Sequence, residues 1–290
     1  MTLRLLLLGA AALALHGCAN APRPNPHYVL GTAYQAGGAW HYPRETMDLD
    51  ETGIAAIAKD SSTGLTTDGE RFSQSAMAGA HPTLQLPAVA RVTNLENGRQ
   101  VVIRINDRGS GNPHRLMEVT RRTAQLLGFP PSGLARVRLE LLPQQSEDAA
   151  DALPGAPKLT VATAPRGAIQ TVDLPPPGAN TAAVAPVPAA APVDAAKPAA
   201  PPMRLPETVT QTTPNAGRLM VRLDTFGEFQ FAAVQQAKMA AYGAHIVYLD
   251  QGRTHQFRVD VGPLPSIAQA DSVLDRALAN GIPDARIVVE

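Results

Sequence analysis

The chain has 290 residues, with 25 basic and 25 acidic side chains, a formal net charge of +0 and only 17% charged residues. That balance excludes the electrostatic footprint of a nucleic-acid binder and the composition of a strongly acidic, solvating chain. Aromatic residues make up 4% and prolines number 27, so two modest cores joined by a linker are expected rather than one large core.

At the N-terminus, Arg4 precedes an apolar run from Leu5 to Leu15. This is the length of an export-signal h-region and is too short to span a bilayer comfortably. The run ends in Leu15-His16-Gly17-Cys18, and Cys18 is the only cysteine. An exported chain with one cysteine has no internal disulfide framework, and a free thiol is a liability in an oxidising compartment. The tetrapeptide resembles the lipobox of bacterial lipoproteins. That resemblance implies loss of residues 1–17 as a signal peptide, acylation of Cys18 and a membrane anchor. Ala19, rather than Asp, after the cysteine implies sorting to the outer membrane, facing the periplasm. An ordinary signal peptide with an incidental cysteine is the alternative. Residues 18–52 are then a lipidated N-terminus and extension.

Residues 53–145 read as a small, mostly β domain. Val89–Asn94 and Arg99–Ile105 are rich in β-branched residues and flank Leu95-Glu-Asn-Gly98, whose Asn-Gly pair is a hairpin signal. Thr120 is placed to cap a short helix over Arg121–Leu127, with Gly128 as its stop. Ala135–Leu141 alternates like a half-buried strand. From Ser146 to Asn215 the chain is dominated by Ala, Pro, Thr and Val, with no aromatic residue between Phe129 and Phe226. Such a stretch cannot bury enough apolar surface to offset its ordering entropy, so 146–215 is expected to be a disordered Pro/Ala linker.

Residues 216–290 carry a near-repeated pattern. It runs strand Leu219–Leu223, helix Phe229–Ala241 before Gly243 and strand His245–Leu249. Strand Gln256–Val261, helix Ser266–Asn280 before Gly281 and strand Ala285–Val289 then follow. Ser266 with Gln269 makes a capping box. Two β-α-β halves predict an α+β, ferredoxin-like sheet with both helices on one face and the other face open for binding.

Two families are recognisable on these residues. The segment 53–141 resembles the double-psi β-barrel of the rare lipoprotein A family of septal-ring lytic transglycosylases. The likeness is carried by Thr66-Thr-Asp-Gly-Glu70, Met77-Ala-Gly-Ala-His81-Pro-Thr-Leu84, Val92-Thr-Asn-Leu-Glu-Asn-Gly98 and Arg104-Ile-Asn-Asp-Arg-Gly109. Residues 216–290 resemble a SPOR domain through Leu219–Phe226 and Phe257–Leu264. The order of lipobox, barrel, linker and SPOR domain is also the family's.

The resemblance implies cleavage between N-acetylmuramic acid and N-acetylglucosamine, with the sugar's own 6-hydroxyl attacking to leave a 1,6-anhydro end. Such chemistry needs a carboxyl group that donates a proton to the leaving oxygen and then takes one from the 6-hydroxyl. It needs no metal and no organic cofactor. By resemblance Asp107 is the acid/base and Glu70 its partner, a division of roles that remains open to reversal. His81 is implied to bond Asp107 or substrate, and Arg108 to bind a substrate carboxylate or else hold its turn. Arg222, Phe226 and Arg258 are candidate contacts for glycan strands lacking stem peptides.

On pattern alone Asn106-Asp-Arg-Gly109 is a turn sequence and Glu70 a solvated loop charge. The chain also has Ile54-Ala-Ala-Ile-Ala58 where the family carries Ser-Trp-Tyr-Gly. Either the upstream Trp40-His-Tyr-Pro43 folds back to replace that stacking surface, or Trp40 is buried. Three functions are therefore weighed: a septum-directed transglycosylase, a non-catalytic peptidoglycan-binding lipoprotein that uses the same cleft, and an expansin-like loosening protein.

Overall fold

The structure, a computed structural model, describes residues 22–157, 205–250, 252 and 255–290. The export signal, Cys18 and most of the expected linker lie outside the described residues. Strands β1 (Tyr34–Ala36) and β2 (Ala39–His41) form a hairpin in the N-terminal extension.

Strands β3 (Asp50–Ile57), β4 (Ala78–Ala80), β5 (Ala88–Asn94), β6 (Arg99–Asp107), β7 (Met117–Val119) and β8 (Leu134–Leu141) close a six-stranded barrel. Its order is β4-β7-β3-β8-β5-β6, and β6 pairs back onto β4. The pairs β3/β7 and β4/β6 are parallel and the rest antiparallel, as a double-psi barrel requires. Inward alternation fills it with Ala90, Val92, Val101, Ile103, Ile105, Val137 and Leu139.

The expected hairpin is present, with Thr93 opposite Gln100. Helix α1 (Arg121–Leu127) starts at Thr120, whose side chain accepts from Thr123 N, and stops at Gly128 at φ 67°. These are the cap and stop that the residue types dictate.

The linker begins later than its composition suggests. Helix α2 (Pro143–Asp151) covers its first residues and buries Ser146, Ala149 and Ala150. Ser146 Oγ accepts from Val89 N at 2.9 Å and donates to Val89 O at 3.1 Å, fastening the helix to β5. At the far end β9 (Val209–Gln211) adds to the start of β6, opposite Arg99–Val101.

The C-terminal unit has β10 (Leu219–Phe226), α3 (Phe229–Lys238) and a 3-10 turn at Ala240–Tyr242, then β11 (Ala244–Asp250), β12 (His255–Leu264), α4 (Ile267–Ala279) and β13 (Arg286–Val289). Its strands run in the order β11-β12-β10-β13, all antiparallel, which is the ferredoxin-like arrangement of a βαββαβ unit. Leu219, Val221, Leu223, Val259 and Val261 pack under Ala232, Ala270 and Leu274 of the helices.

This unit docks on the outside of the barrel. Ile54, on β3, is fully buried among the apolar residues of the C-terminal core. Thr52 Oγ1 donates to Val289 O at 2.7 Å and accepts from Val289 N at 3.0 Å, satisfying the outer edge of β13. Arg115 grips Asp271 of α4 through two bonds of 2.7 and 3.0 Å, and His114 meets Asp275 at 2.9 Å.

Candidate active site

The end of β6 and the Thr66–Glu70 turn build the site together. Arg104 and Asn106 lie on the β6 face opposite the inward Ile103 and Ile105, and both are buried. The register with β4 then shifts, setting Ala80 opposite Asp107, so Asp107 leaves the strand at the rim of the barrel. The turn is held against β6 by Asp68 N donating to Asn106 O at 3.3 Å. The extension closes over it, with His27 N bonding Asp68 O and Asn25 N bonding Gly69 O, both at 2.9 Å. Position 69 requires glycine, because its φ is +82° and a Cβ there would sit 2.3 Å from Asn25 O.

Asp107 lines a cleft of about 390 Å³ with Thr66, Thr67, Asn106, Ser110 and Glu118. Its Oδ1 accepts from Thr67 N at 3.1 Å, Thr67 Oγ1 at 2.5 Å and Arg108 N at 2.8 Å. Those bonds fix the carboxyl plane and leave Oδ2 without a hydrogen bond among the described residues. Glu118 is tied to Ser110 by both the amide, at 3.3 Å, and the hydroxyl.

Glu70 is not among the residues lining the cleft, nor is His81. Glu70 is buried behind Asn106, with Oε1 bonded to Arg104 Nε at 2.7 Å and Oε2 to Asn106 Nδ2 at 2.8 Å. The bland reading of Glu70 as a solvated loop charge is thereby excluded. His81 is buried too, and its Nδ1 accepts from Thr83 N at 3.3 Å and Leu84 N at 3.2 Å. Burial, and then the positive Arg108, push its ring down to about 3, so it is neutral with the proton on Nε2. Its link to Asp107 is through the backbone, His81 N to Asp107 O at 2.9 Å.

Arg108 is buried and gives its guanidinium to carbonyls: Leu30 O at 2.7 Å, His81 O at 3.4 Å, and Leu84 O. It holds its turn and the extension together, and the expectation that it binds a substrate carboxylate gives way to that structural use.

Trp40 is not buried. It is 59% exposed and Tyr42 is 66% exposed, on a hairpin seated against the cleft-rim loop. His41 Nε2 bonds Gly111 O at 3.1 Å, Tyr34 Oη donates to Pro82 O at 2.9 Å, and the Tyr34 and His41 rings stack at 5.1 Å. A Cβ at Gly37 would sit 2.1 Å from Gly111 O, so only glycine permits this seating.

The open sheet face of the C-terminal unit is a charge lattice. Arg222 and Arg258 both reach Glu290, at 2.7 and 2.6 Å, and Arg258 Nε also bonds Asp260 Oδ2 at 2.6 Å. Phe226 packs toward the helix-side core, which removes it from the expected contacts on that face. Sequence reasoning places Thr67, Asp68, Arg104 and Asn106 only inside motifs, without a role, and gives none to Asp260. The Thr66-x-Asp68 spacing is a usable turn signal for Asp68, whose Oδ1 accepts from Thr66 Oγ1.

The sequence model described as lytic transglycolase matches residues 43–139. A Rickettsia felis protein named endolytic peptidoglycan transglycosylase RlpA is 35% identical over 125 residues, covering 42% of this chain and 55% of that one. The chain thus spans about half the length of that relative. The protein of the same name from Pseudomonas aeruginosa (strain PAO1) is 30% identical over 275 residues, covering 87% of this chain and 73% of that one. This chain belongs to the RlpA family. A crystal structure of the RlpA SPOR domain from Pseudomonas aeruginosa aligns with 25% of this chain and 99% of that chain, at 17% identity and a TM-score of 0.24. Membership in the RlpA family gives the cleft its chemical context: Asp107 and Glu118 both line it with one oxygen held and the other without a hydrogen bond among the described residues, and of the two Asp107 belongs to the Arg104–Gly109 motif that carries the resemblance.

Proposed function

We propose that this chain is a lytic transglycosylase that cleaves N-acetylmuramic acid–N-acetylglucosamine bonds in peptidoglycan strands and leaves 1,6-anhydro ends. The observation that carries the reading is the held Asp107 carboxyl in the cleft of an RlpA-family barrel. Asp107 Oδ2 gives its proton to the departing N-acetylglucosamine O4 as the C1–O4 bond breaks. The muramyl 6-hydroxyl then bonds to C1 and returns its proton to Asp107, so no water is consumed. Asn106 and Glu70 brace the strand end on which Asp107 sits.

In this reading the C-terminal unit is a SPOR domain that holds strands lacking stem peptides. Arg222 and Arg258, paired with Glu290 and Asp260, give its sheet face polar groups for sugar hydroxyls and for the lactyl carboxylate that each peptide-free muramic acid carries. The reading also includes an outer-membrane lipid anchor at Cys18 and action at the division septum. Release of Cys18→Ser from membranes tests the anchor.

A second reading, a barrel that only holds glycan, draws on Glu70 being spent in a buried ion pair away from the cleft. Incubating the full chain with peptide-free glycan and weighing the products decides between them. Saccharides ending in 1,6-anhydro-N-acetylmuramic acid support the enzyme, and binding without product supports the holder.

A further inference from the structure

The turn beside the cleft contains a carboxyl that the proposed chemistry leaves unused. Asp68 is completely buried. Its Oδ1 accepts from Thr66 Oγ1 at 2.7 Å and from Glu70 N at 3.2 Å, while its backbone bonds Asn106 O and His27 N. Its Oδ2 is sealed from solvent with no hydrogen-bond partner among the described residues. An ionised carboxylate there would place charge on an oxygen that has neither water nor a donor, so the neutral acid is favoured.

The charged groups around it agree. Glu70, on the same turn, opposes ionisation, and Arg104, from β6, only partly offsets it. The extension contributes His27, which meets Asp68 through its backbone while its ring bonds Asn25 O. Burial and Glu70 together push the Asp68 carboxyl up to about 7.

Asp68 stands between two residues that organise the site. On one side Thr67 holds Asp107 Oδ1 with its amide and hydroxyl. On the other, Glu70 locks Arg104 and Asn106. We infer that Asp68, as a neutral carboxylic acid, is a positioning residue for this cleft: it locks the Thr66–Glu70 turn, and losing its proton loosens Thr67's hold on Asp107. The inference rests on the proposed role of Asp107 for its catalytic consequence, but not for its structural one.

The test uses the full chain. Asp68→Asn keeps the Oδ1 acceptor and neutrality, whereas Asp68→Ala removes the acceptor from Thr66 and Glu70 N. In the wild type, carboxyl-carbon resonances should show Asp68 titrating near 7, with the Thr67 and Arg108 amide shifts following the same curve. In Asp68→Asn those amide shifts should be flat over that range. The kcat of the wild type should fall through the same range, Asp68→Asn should lose that basic limb, and Asp68→Ala should be at least tenfold slower at every pH with KM changed less than threefold. Titration of Asp68 below 5, or a basic limb unchanged in Asp68→Asn, overturns the inference. If the wild type makes no product, the transglycosylase reading fails, and the amide shifts alone uphold or overturn the role of Asp68.

Discussion

Glu70 Oε1 receives both Nε and Nη2 of Arg104 at 2.7 Å, and the two side chains are buried together beneath the cleft. Removing one partner strands the other's charge, which typically costs about 3–5 kcal/mol. Arg104→Met should therefore lower stability by an amount of that order, read from the urea midpoint. The double variant Arg104→Met/Glu70→Leu should regain much of it. A Glu70→Gln variant that loses activity must be read beside its own midpoint, because it also breaks this pair.

The neutral His81 ring gives a pH dependence with a defined sign. Its native value, about 3, lies below that of an unfolded histidine, about 6.5. Between those values the unfolded chain binds a proton that the native state refuses, so His81 costs stability as pH falls. Asp68 acts oppositely: its raised value makes the native state bind the extra proton, so its contribution grows from about pH 7 down toward 4. His81→Asn keeps an acceptor for Thr83 N and Leu84 N. Its melting temperature should drop less than that of the wild type between pH 7 and 5, measured by calorimetry.

The docked C-terminal unit leads to a third expectation. Ile54 is sealed by that unit, and the Arg115–Asp271 pair sits at the edge of the same contact. Cleavage at a protease site inserted within 158–204 should leave two fragments that co-elute on size exclusion. Arg115→Glu should set them apart, because it turns a two-bond attraction into repulsion across a partly buried contact.

Trp40 is the chain's only tryptophan, so its fluorescence reports one place. If the exposed hairpin face meets sugar rings, peptide-free glycan should shift Trp40 emission to the blue. Trp40→Ala should then weaken binding by about 3–10-fold, in line with roughly 0.5–1.5 kcal/mol for an aromatic contact. Emission unchanged at saturating glycan would place the strand elsewhere.

Legibility in the sequence followed the range of the interaction. Helix α1 could be read because Thr120 and Gly128 carry its start and stop locally. The βαββαβ order could be read because each period was intact. Helix α2 could not, since Ser146, Ala149 and Ala150 gain their burial from β5, more than fifty residues earlier. Asp107 was visible through its motif, but the partner of Glu70 lies 34 residues away. Nothing near Arg108 reveals that its guanidinium ends on Leu30 and Leu84 rather than in solvent.

The catalytic assignment is tested most directly at Asp107, where the structure separates holding from proton transfer. Asn at 107 keeps an oxygen able to accept from Thr67 N, Thr67 Oγ1 and Arg108 N, the three bonds now made by Oδ1. It replaces Oδ2 with an amide that cannot give a proton to a leaving sugar and take one back. Asp107→Asn should therefore fold with a melting temperature near wild type and bind peptide-free glycan. Its anhydro-end formation should fall by about 10²-fold or more, the scale of a lost general acid. If Asp107 only forms a turn, Asn should serve as well, because both side chains accept the same backbone bonds. Equal, non-zero yields of 1,6-anhydro-ended saccharides from both proteins would remove Asp107 from the chemistry and leave it as the support of its own loop.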